Sequence, residues 1–276
     1  MKLFGRQYKL TVGNESESLE IKHLRIYVES VMTLTSGPNP AKGALYELSQ
    51  QTIDRITSGE FKYCTFEAGY EELGLIFMGD IRKAIVKKDG VDLILSLEVY
   101  DGFNAINLSS VSTTLKAGST DKDIIDGLIN NMELDINSAF VDAGNERQLT
   151  RAKVINGNVK KYLGQIGANQ NADWSVQDGQ FFMLSKDKVT NSAGYLINER
   201  TGMVGTPQKS DNGIELITLL QPEILVGSLI RVESVVNQYN GDFKVTDIKL
   251  SGDTHSEKWY SQITAIGGEF QRAKQK

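Results

Sequence analysis

The sequence predicts a mainly β protein with an α+β insert, and three observations carry that prediction. Between residues 201 and 266, four short apolar runs are separated by turn clusters at Asn212-Gly213, Pro222 to Gly227, Asn240-Gly241-Asp242 and Ser251-Gly252-Asp253. Short apolar runs with a turn signal about every ten residues are how a β-barrel or sandwich is written. Near residue 95, Leu93, Leu95, Leu97 and Val99 alternate with Ile94, Ser96 and Glu98, so one face of a strand is buried and the other is mostly wet. Between these regions the period changes: Ile124, Ile125, Leu128, Ile129 and Met132 recur at helical spacing.

Taken in order, Tyr8, Leu10 and Val12 are strand-like and precede an acidic, serine-bearing turn. Leu24, Ile26 and Val28 share one face of the next strand, and Gly37-Pro38-Asn39-Pro40 is a hard break. Ala44, Tyr46 and Leu48 alternate again. Ser49 is placed to cap a short helix over Gln50 to Thr57, with Ile53 and Ile56 facing inward and Gly59 closing it. Strands follow at Phe61 to Ala68, Leu75 to Met78, Ile81 to Val86 and Val91 to Tyr100, the last two joined by a hairpin signal at Lys88-Asp89-Gly90. Thr120 and Asp123 have capping-box spacing at the start of one helix. Asn158 starts a second, whose Val159, Tyr162, Leu163 and Ile166 form one stripe and which Gly167 ends. Trp174 to Val176, a turn at Asp178-Gly179 and Phe181 to Met183 read as a hairpin. In the C-terminal part, Leu229, Arg231 and Glu233 oppose Ile230, Val232 and Ser234. The apolar phase then slips between Phe243 and Leu250, which predicts a β-bulge near Thr246-Asp247. The division is therefore residues 1–116, a β-rich domain; 117–195, a small α+β domain; and 196–276, a second β domain with a short polar tail.

Bulk properties narrow the function classes. A chain of 276 residues holds about two or three modest cores. Its 40% hydrophobic and 24% charged content is that of an ordinary soluble protein. A net charge of −5 argues against a nucleic-acid binder that works by phosphate neutralisation. The single cysteine, Cys64, excludes an intrachain disulfide and alternates with Phe61, Tyr63 and Phe66 as a core residue would. The N-terminus has no signal-peptide apolar region and no stretch approaches 18 apolar residues, so a cytosolic chain without a membrane span is expected. The tail Arg272 to Lys276 reads as a solvated end.

Several short motifs carry a resemblance. In the C-terminal part these are Gly-Met-Val-Gly-Thr-Pro-Gln (202 to 208), Leu-Leu-Gln-Pro (219 to 222), Gly-Ser-Leu-Ile-Arg-Val-Glu-Ser (227 to 234), Gly-Asp-Phe-Lys-Val (241 to 245), Ser-Gly-Asp-Thr-His (251 to 255) and Trp259-Tyr260. In the N-terminal part they are Pro-Asn-Pro-Ala (38 to 41), Leu48-Ser49 opening a helix, Ala-Gly-Tyr-Glu (68 to 71), Ile-Phe-Met-Gly-Asp-Ile (76 to 81) and Asp101-Gly102. In this order they resemble phage tail and baseplate hub proteins of the late-control-protein-D-like type, and a helix followed by a Trp-containing strand and an Asp-Gly hairpin is similar to the insert of such hubs. The resemblance covers most of the chain. It implies two small β-barrel domains flanking a small α/β middle domain, and a homotrimeric ring that adapts a sixfold tail tube to a trimeric spike. The implied partners are the chain itself, the tail tube or distal tail protein, the tip spike and the tape measure protein, around a channel for genome ejection. The implied location is the virion tail, with assembly in the bacterial host cytoplasm. Phage tails and contractile injection systems are covered alike. Spike attachment falls to Phe270–Lys276 or to loops, and interface residues are unassigned.

The search for chemistry returns no catalytic, cofactor or metal residue. His23, His255 and Cys64 lack ligand spacing. Asp253-Thr254-His255 lies in a turn, and no serine stands in a G-x-S-x-G elbow. Neither phosphate-binding glycine pattern occurs. Two other readings remain. Trp174 with Phe181-Phe182 would serve a glycan- or cell-wall-binding module if exposed. Glu71-Glu72 would serve a β-rich hydrolase if a cleft held two acids face to face.

Overall fold

The computed structural model describes residues 4–34, 37–132, 134, 139–142, 148–190, 194–211 and 213–273. Asn212 of the expected Asn-Gly turn and the last three residues of the tail lie outside these. The chain divides into two compact units, one of Met1–Thr33, Asn39–Asp101 and Ser192–Glu269, the other of Leu34–Pro38, Gly102–Asn191 and Phe270–Lys276.

The first unit opens with β1 (Gln7–Gly13), β2 (Ser18–Ile21), β3 (Ile26–Thr33) and β4 (Asn39–Tyr46). Pro40 is tolerated in β4 because the ladder to β3 ends at Ala41, so no bond is asked of the missing N–H on that side. Ser49 caps α1 (Gln50–Thr57) through a bond from the Thr52 N–H, and Ile53 and Ile56 are buried, as the sequence predicts. β5 (Tyr63–Gly69), β6 (Leu73–Asp89) and β7 (Asp92–Asp101) follow. The two strands expected between Leu75 and Val86 are one, because β6 changes partner along its length. It pairs with β5 as far as Asp80 and with β7 from Asp80 to Asp89. The hairpin turn falls on Gly90-Val91, one residue later than expected, with Gly90 supplying the positive φ of 59°.

The second unit holds α2 (Phe103–Asn107), β8 (Ser110–Leu115), α3 (Asp121–Asn131), β9 (Phe140–Asp142), β10 (Lys153–Asn158), α4 (Val159–Gln170), β11 (Ala172–Gln177), β12 (Gln180–Ser185) and β13 (Lys188–Val189). The Thr120–Asp123 capping box forms with both bonds present. Helix α4 runs past Gly167 and ends at Asn171, whose φ of 51° is left-handed. Gly167 is instead a packing glycine: a Cβ there would stand 2.8 Å from the Ala172 carbonyl. The core joins Ile124, Ile125, Leu128 and Ile129 of α3 to Val159, Leu163 and Ile166 of α4 and to Trp174, Val176, Phe181 and Met183 of the hairpin. The hairpin turn is Asp178-Gly179, both at positive φ, as the Asp-Gly signal predicts.

The chain then returns to the first unit with β14 (Tyr195–Ile197), β15 (Met203–Ser210), β16 (Gly213–Leu219), β17 (Leu229–Val232), β18 (Gly241–Asp253) and β19 (Trp259–Gly267), and ends in β20 (Gln271–Arg272) of the second. The bulge expected near Thr246 lies between Val245 and Asp247. Thirteen strands form one sheet in the order β15-β16-β19-β18-β3-β4-β7-β6-β5-β1-β2, with β17 pairing with β18 and β14 with β17. The mainly β class with an α+β insert is as expected. The barrels are not: among the described residues no sheet closes, because β3 pairs with β18 and joins the N- and C-terminal strands into one open sheet. The tail also differs. Gln271–Arg272 pairs in parallel with β13, and Ala273 is fully buried beside Phe140 and Leu184, so this stretch is docked within the second unit.

Leu163→Ala opens a cavity in a side chain with no exposure and is expected to destabilise by about 2–5 kcal/mol in urea unfolding. Lys161→Ala, on the exposed face of α4, is expected to stay within about 0.5 kcal/mol.

Candidate functional site

The residue types that carry chemistry are dispersed or structural. Cys64 is buried in β5, and burial pushes its thiol up to about 12, so it is neither a nucleophile nor a ligand at neutral pH. His23 and His255 are both exposed, and no group of three or more His, Cys, Asp or Glu side chains among the described residues is arranged to hold a metal. Trp174 and Phe181 stack on each other at 6.0 Å between ring centroids inside the second unit's core, 4% and 0% exposed. Phe182 stacks on Phe140 in a neighbouring apolar cluster. This hairpin is core, and the observation that favoured a glycan platform is gone. Glu71 and Glu72 are exposed on the rim of an open groove. Burial pushes the Asp178 carboxyl up to about 6, and it sits in the Asp178-Gly179 turn.

The motifs the sequence singles out converge on the seam between β3 and β18. The ladder runs from Asp247 opposite Thr33 to Asp253 opposite Tyr27. Beyond it, Thr254 takes over: its N–H donates to the Ile26 carbonyl at 3.0 Å, its hydroxyl accepts from the Ile26 N–H at 2.9 Å and donates to the Leu24 carbonyl at 3.1 Å. Arg25 places Nε and Nη2 at 3.1 and 2.9 Å from one Asp253 carboxylate oxygen, and the His255 N–H bonds the other at 2.9 Å. Burial alone would raise the Asp253 carboxyl, but the Arg25 bonds and the His255 N–H outweigh it and hold the group below the usual carboxylate range. Asp253-Thr254-His255 is thus a turn lock, with the histidine serving through its backbone.

Trp259 closes the seam. Its indole N–H donates to the Asp253 carbonyl at 2.9 Å, its ring lies against Gly252, and it is 2% exposed. Arg6 lies over the ring at 5.5 Å and donates to the Ser256 and Glu257 carbonyls, while Tyr8 meets the ring at a tilt of 60°. The Leu-Leu-Gln-Pro segment joins the same region. The Leu220 N–H bonds the Trp259 carbonyl, Gln221 reaches the Thr201 carbonyl, and Pro222 packs on Gly74, where a Cβ would stand 2.6 Å from the ring. An apolar cavity of about 10 Å³ among Val28, Phe66, Leu220, Leu250 and Trp259 is too small for any ligand larger than a water. Nothing in the composition marks this seam, because each contribution is a turn or strand residue that is ordinary alone.

Outside the seam, two features are open. A groove of about 410 Å³ is lined by Leu73, Leu220, Pro222, Glu71, Glu72 and Glu223. The β6–β7 hairpin exposes Ile85, Val86 and Val91, Val91 to 95%. Sequence reading named Glu71 and Glu72 but passed over the exposed hairpin, because an exposed strand and a buried one share the same alternation.

Comparison with known proteins follows the fold. The family model described as baseplate hub gp41 matches residues 45–265. A tail protein from Neisseria meningitidis MC58 is similar at a TM-score of 0.68 and 12% identity, over 96% of this chain and 97% of that one. The 43 kDa tail protein of prophage MuSo2 from Shewanella oneidensis is similar at 0.65 and 9% identity, over 95% and 98%. The E. coli c3393 protein, a type VI secretion component described as structurally similar to the T4 tail proteins gp27 and gp5, is similar at 0.66 and 10% identity, over 97% and 79%. No curated protein sequence matches the chain.

Trp259→Ala is expected to destabilise the first unit by about 3–5 kcal/mol, whereas His255→Ala should change stability by less than about 0.5 kcal/mol. Because the folded-state carboxyl of Asp253 is depressed, its contribution is present at neutral pH and is lost as pH falls below the ordinary carboxylate range; Asp253→Asn should flatten that acid limb in thermal melts. The sign is opposite for Cys64. Its folded-state thiol stays protonated where the unfolded one ionises, so stability falls as pH rises from about 9 toward 12, and Ellman's reagent should label it only after denaturation.

Proposed function

The chain belongs to the baseplate hub gp41 family, and from that membership we propose that it forms a homotrimeric ring at the tail tip. Membership itself makes the chain a structural component of a phage tail. The ring would match the sixfold tail tube or distal tail protein on one side and a trimeric spike on the other, leaving a channel for the tape measure protein and DNA. The three-part division at residues 1–116, 117–195 and 196–276 is kept as the functional partition, with the two β parts of each subunit as the six repeating segments of a pseudo-sixfold ring. The mechanism is geometric, with no turnover. Assembly takes place in the host cytoplasm before the ring joins the virion.

The observation that carries this reading is the extent of the likeness. The family model matches residues 45–265, and the fold of two tail proteins is matched over nearly all of this chain and nearly all of theirs. The negative net charge supports it in a smaller way, since a channel must not retain the DNA that passes it.

Light scattering on a sizing column, from micromolar to near-millimolar protein, tests the ring. Three 30.5 kDa chains give a particle of about 92 kDa, and negative-stain images of it should show a central hole. A stable dimer would sink the reading, because two subunits cannot carry threefold symmetry.

A further inference from the structure

We infer that copies of this chain exchange their C-terminal arms: Gln271 to Ala273 of one pairs with Lys188 and Val189 of the next. The inference rests on the ring proposed above and deepens it by naming a contact that joins its copies.

The structure shows both the socket and the segment that fits it. Strand β20 adds to the edge of β13 in parallel, with Lys188 opposite Gln271 and Val189 opposite Arg272. The Gln271 N–H donates to the Asp187 carbonyl at 3.0 Å, and the Ala273 N–H to the Val189 carbonyl at 2.8 Å. Ala273 has no exposure and fills an apolar well of Phe140 and Leu184, with Phe182 packed beside them. The side chains of Gln271 and Arg272 are exposed, so a short ladder and one buried methyl group hold this stretch. A terminal segment held by so few contacts opens while the rest of its unit stays folded.

The route into the socket makes exchange available. From Ser192 to Glu269 the chain belongs to the first unit, and Phe270 begins the stretch that belongs to the second. Past the last ladder pair, Phe243 with Gly267, the connection runs through Gly267-Gly268-Glu269, all exposed. Two adjacent glycines accept a change of chain direction that other residues resist. The socket of a second copy is identical, so an arm that swings there makes the same bonds and buries the same methyl group. Only the path of the hinge differs, which is why exchange of an identical element is a low-cost route to assembly. Inside a ring the neighbour's socket is also presented at high effective concentration, and this offsets the advantage of self-docking. Each copy then gives one arm and accepts one, a heterologous contact that closes by rotation. From Gly267 to Phe270 the chain reaches at most about 11 Å, so the arm limits how far the neighbour's β13 stands from the end of β19.

Cysteines placed across the socket test this on the full chain. Val189 and Arg272 face each other at the interstrand spacing of about 4.8 Å, within the range a disulfide bridges. A Val189→Cys chain and an Arg272→Cys chain are mixed at micromolar concentration, concentrated to near-millimolar and oxidised with diamide without denaturant, where buried Cys64 stays silent. Exchange should give a covalent pair of about 61 kDa from two 30.5 kDa chains, with a linked peptide joining position 189 of one to position 272 of the other. The Val189→Cys/Arg272→Cys chain should give covalent trimers under the same oxidation. Ala273→Asp, which puts a carboxylate into the apolar well, should raise the concentration at which the trimer dissociates by at least about tenfold, as should a chain ended at Glu269. A trimer whose double-cysteine chain oxidises to a 30.5 kDa monomer overturns the exchange and leaves the ring standing. So does a trimer that the Ala273→Asp and shortened chains hold at the wild-type concentration. A wild type that stays monomeric to near-millimolar concentration removes the ring and the exchange together.

Discussion

The pairing of β3 with β18 is the interaction on which the first unit depends. It joins residues about 215 positions apart in the chain, and closing a loop of that length costs roughly 5 kcal/mol of chain entropy before any contact repays it. The ladder alone is a modest return. Thr254 extends it by satisfying one N–H and two carbonyls of the partner segment, and Trp259 removes its water. Once made, the seam turns two sets of strands into a single thirteen-stranded sheet, so that the N- and C-terminal β segments share one hydrogen-bonded network. The motifs 219 to 222, 251 to 255 and 259 to 260 look like scattered punctuation in the sequence and are a single joint in space.

The second unit is built on the opposite plan. Its core forms from α4 and the hairpin that follows it at once, with α3 packed against α4, so much of its stability comes from contacts close in sequence. Such local contacts form early and at small entropic cost. The ion pair of buried Asp142 with half-buried Lys188, Nζ and Oδ1 at 2.6 Å, and the docking of Ala273 add ties between distant residues, beside the β8–β10 and β9–β12 ladders.

The sheet also explains how an open architecture avoids promiscuous growth. Its outer strands are managed: β15 carries Pro207 and an irregular register between Val204 and Gln208, and β2 has only four residues, three of them exposed. The recognisable chemistry of the chain has gone into turns and core. Cys64 fills β5, Trp174 and Phe181 fill the second unit, and the Asp253 carboxylate locks a turn.

What could be read from the sequence was set by local physics. The Ser49 cap, the Thr120–Asp123 box, the Asp178-Gly179 turn and the bulge after Val245 each follow from residues within a few positions of one another. The motif order likewise pointed to a tail hub. Errors arose where a residue's role depends on a distant partner. Gly167 ends nothing because Ala172 packs against it, the break expected between Met78 and Ile81 is absent because β6 exchanges β5 for β7, and the stretch Gln271 to Ala273 is docked because β13 offers an edge. By itself, the sequence determined the β class, the helical insert and the turns, since period and capping are properties of short windows. Only the tertiary structure decided that the β segments form one open sheet, that the Asp253-Thr254-His255 motif is a seam, and that the Trp174 hairpin is core. Those depend on pairings between residues far apart in the chain, about which no local pattern carries information.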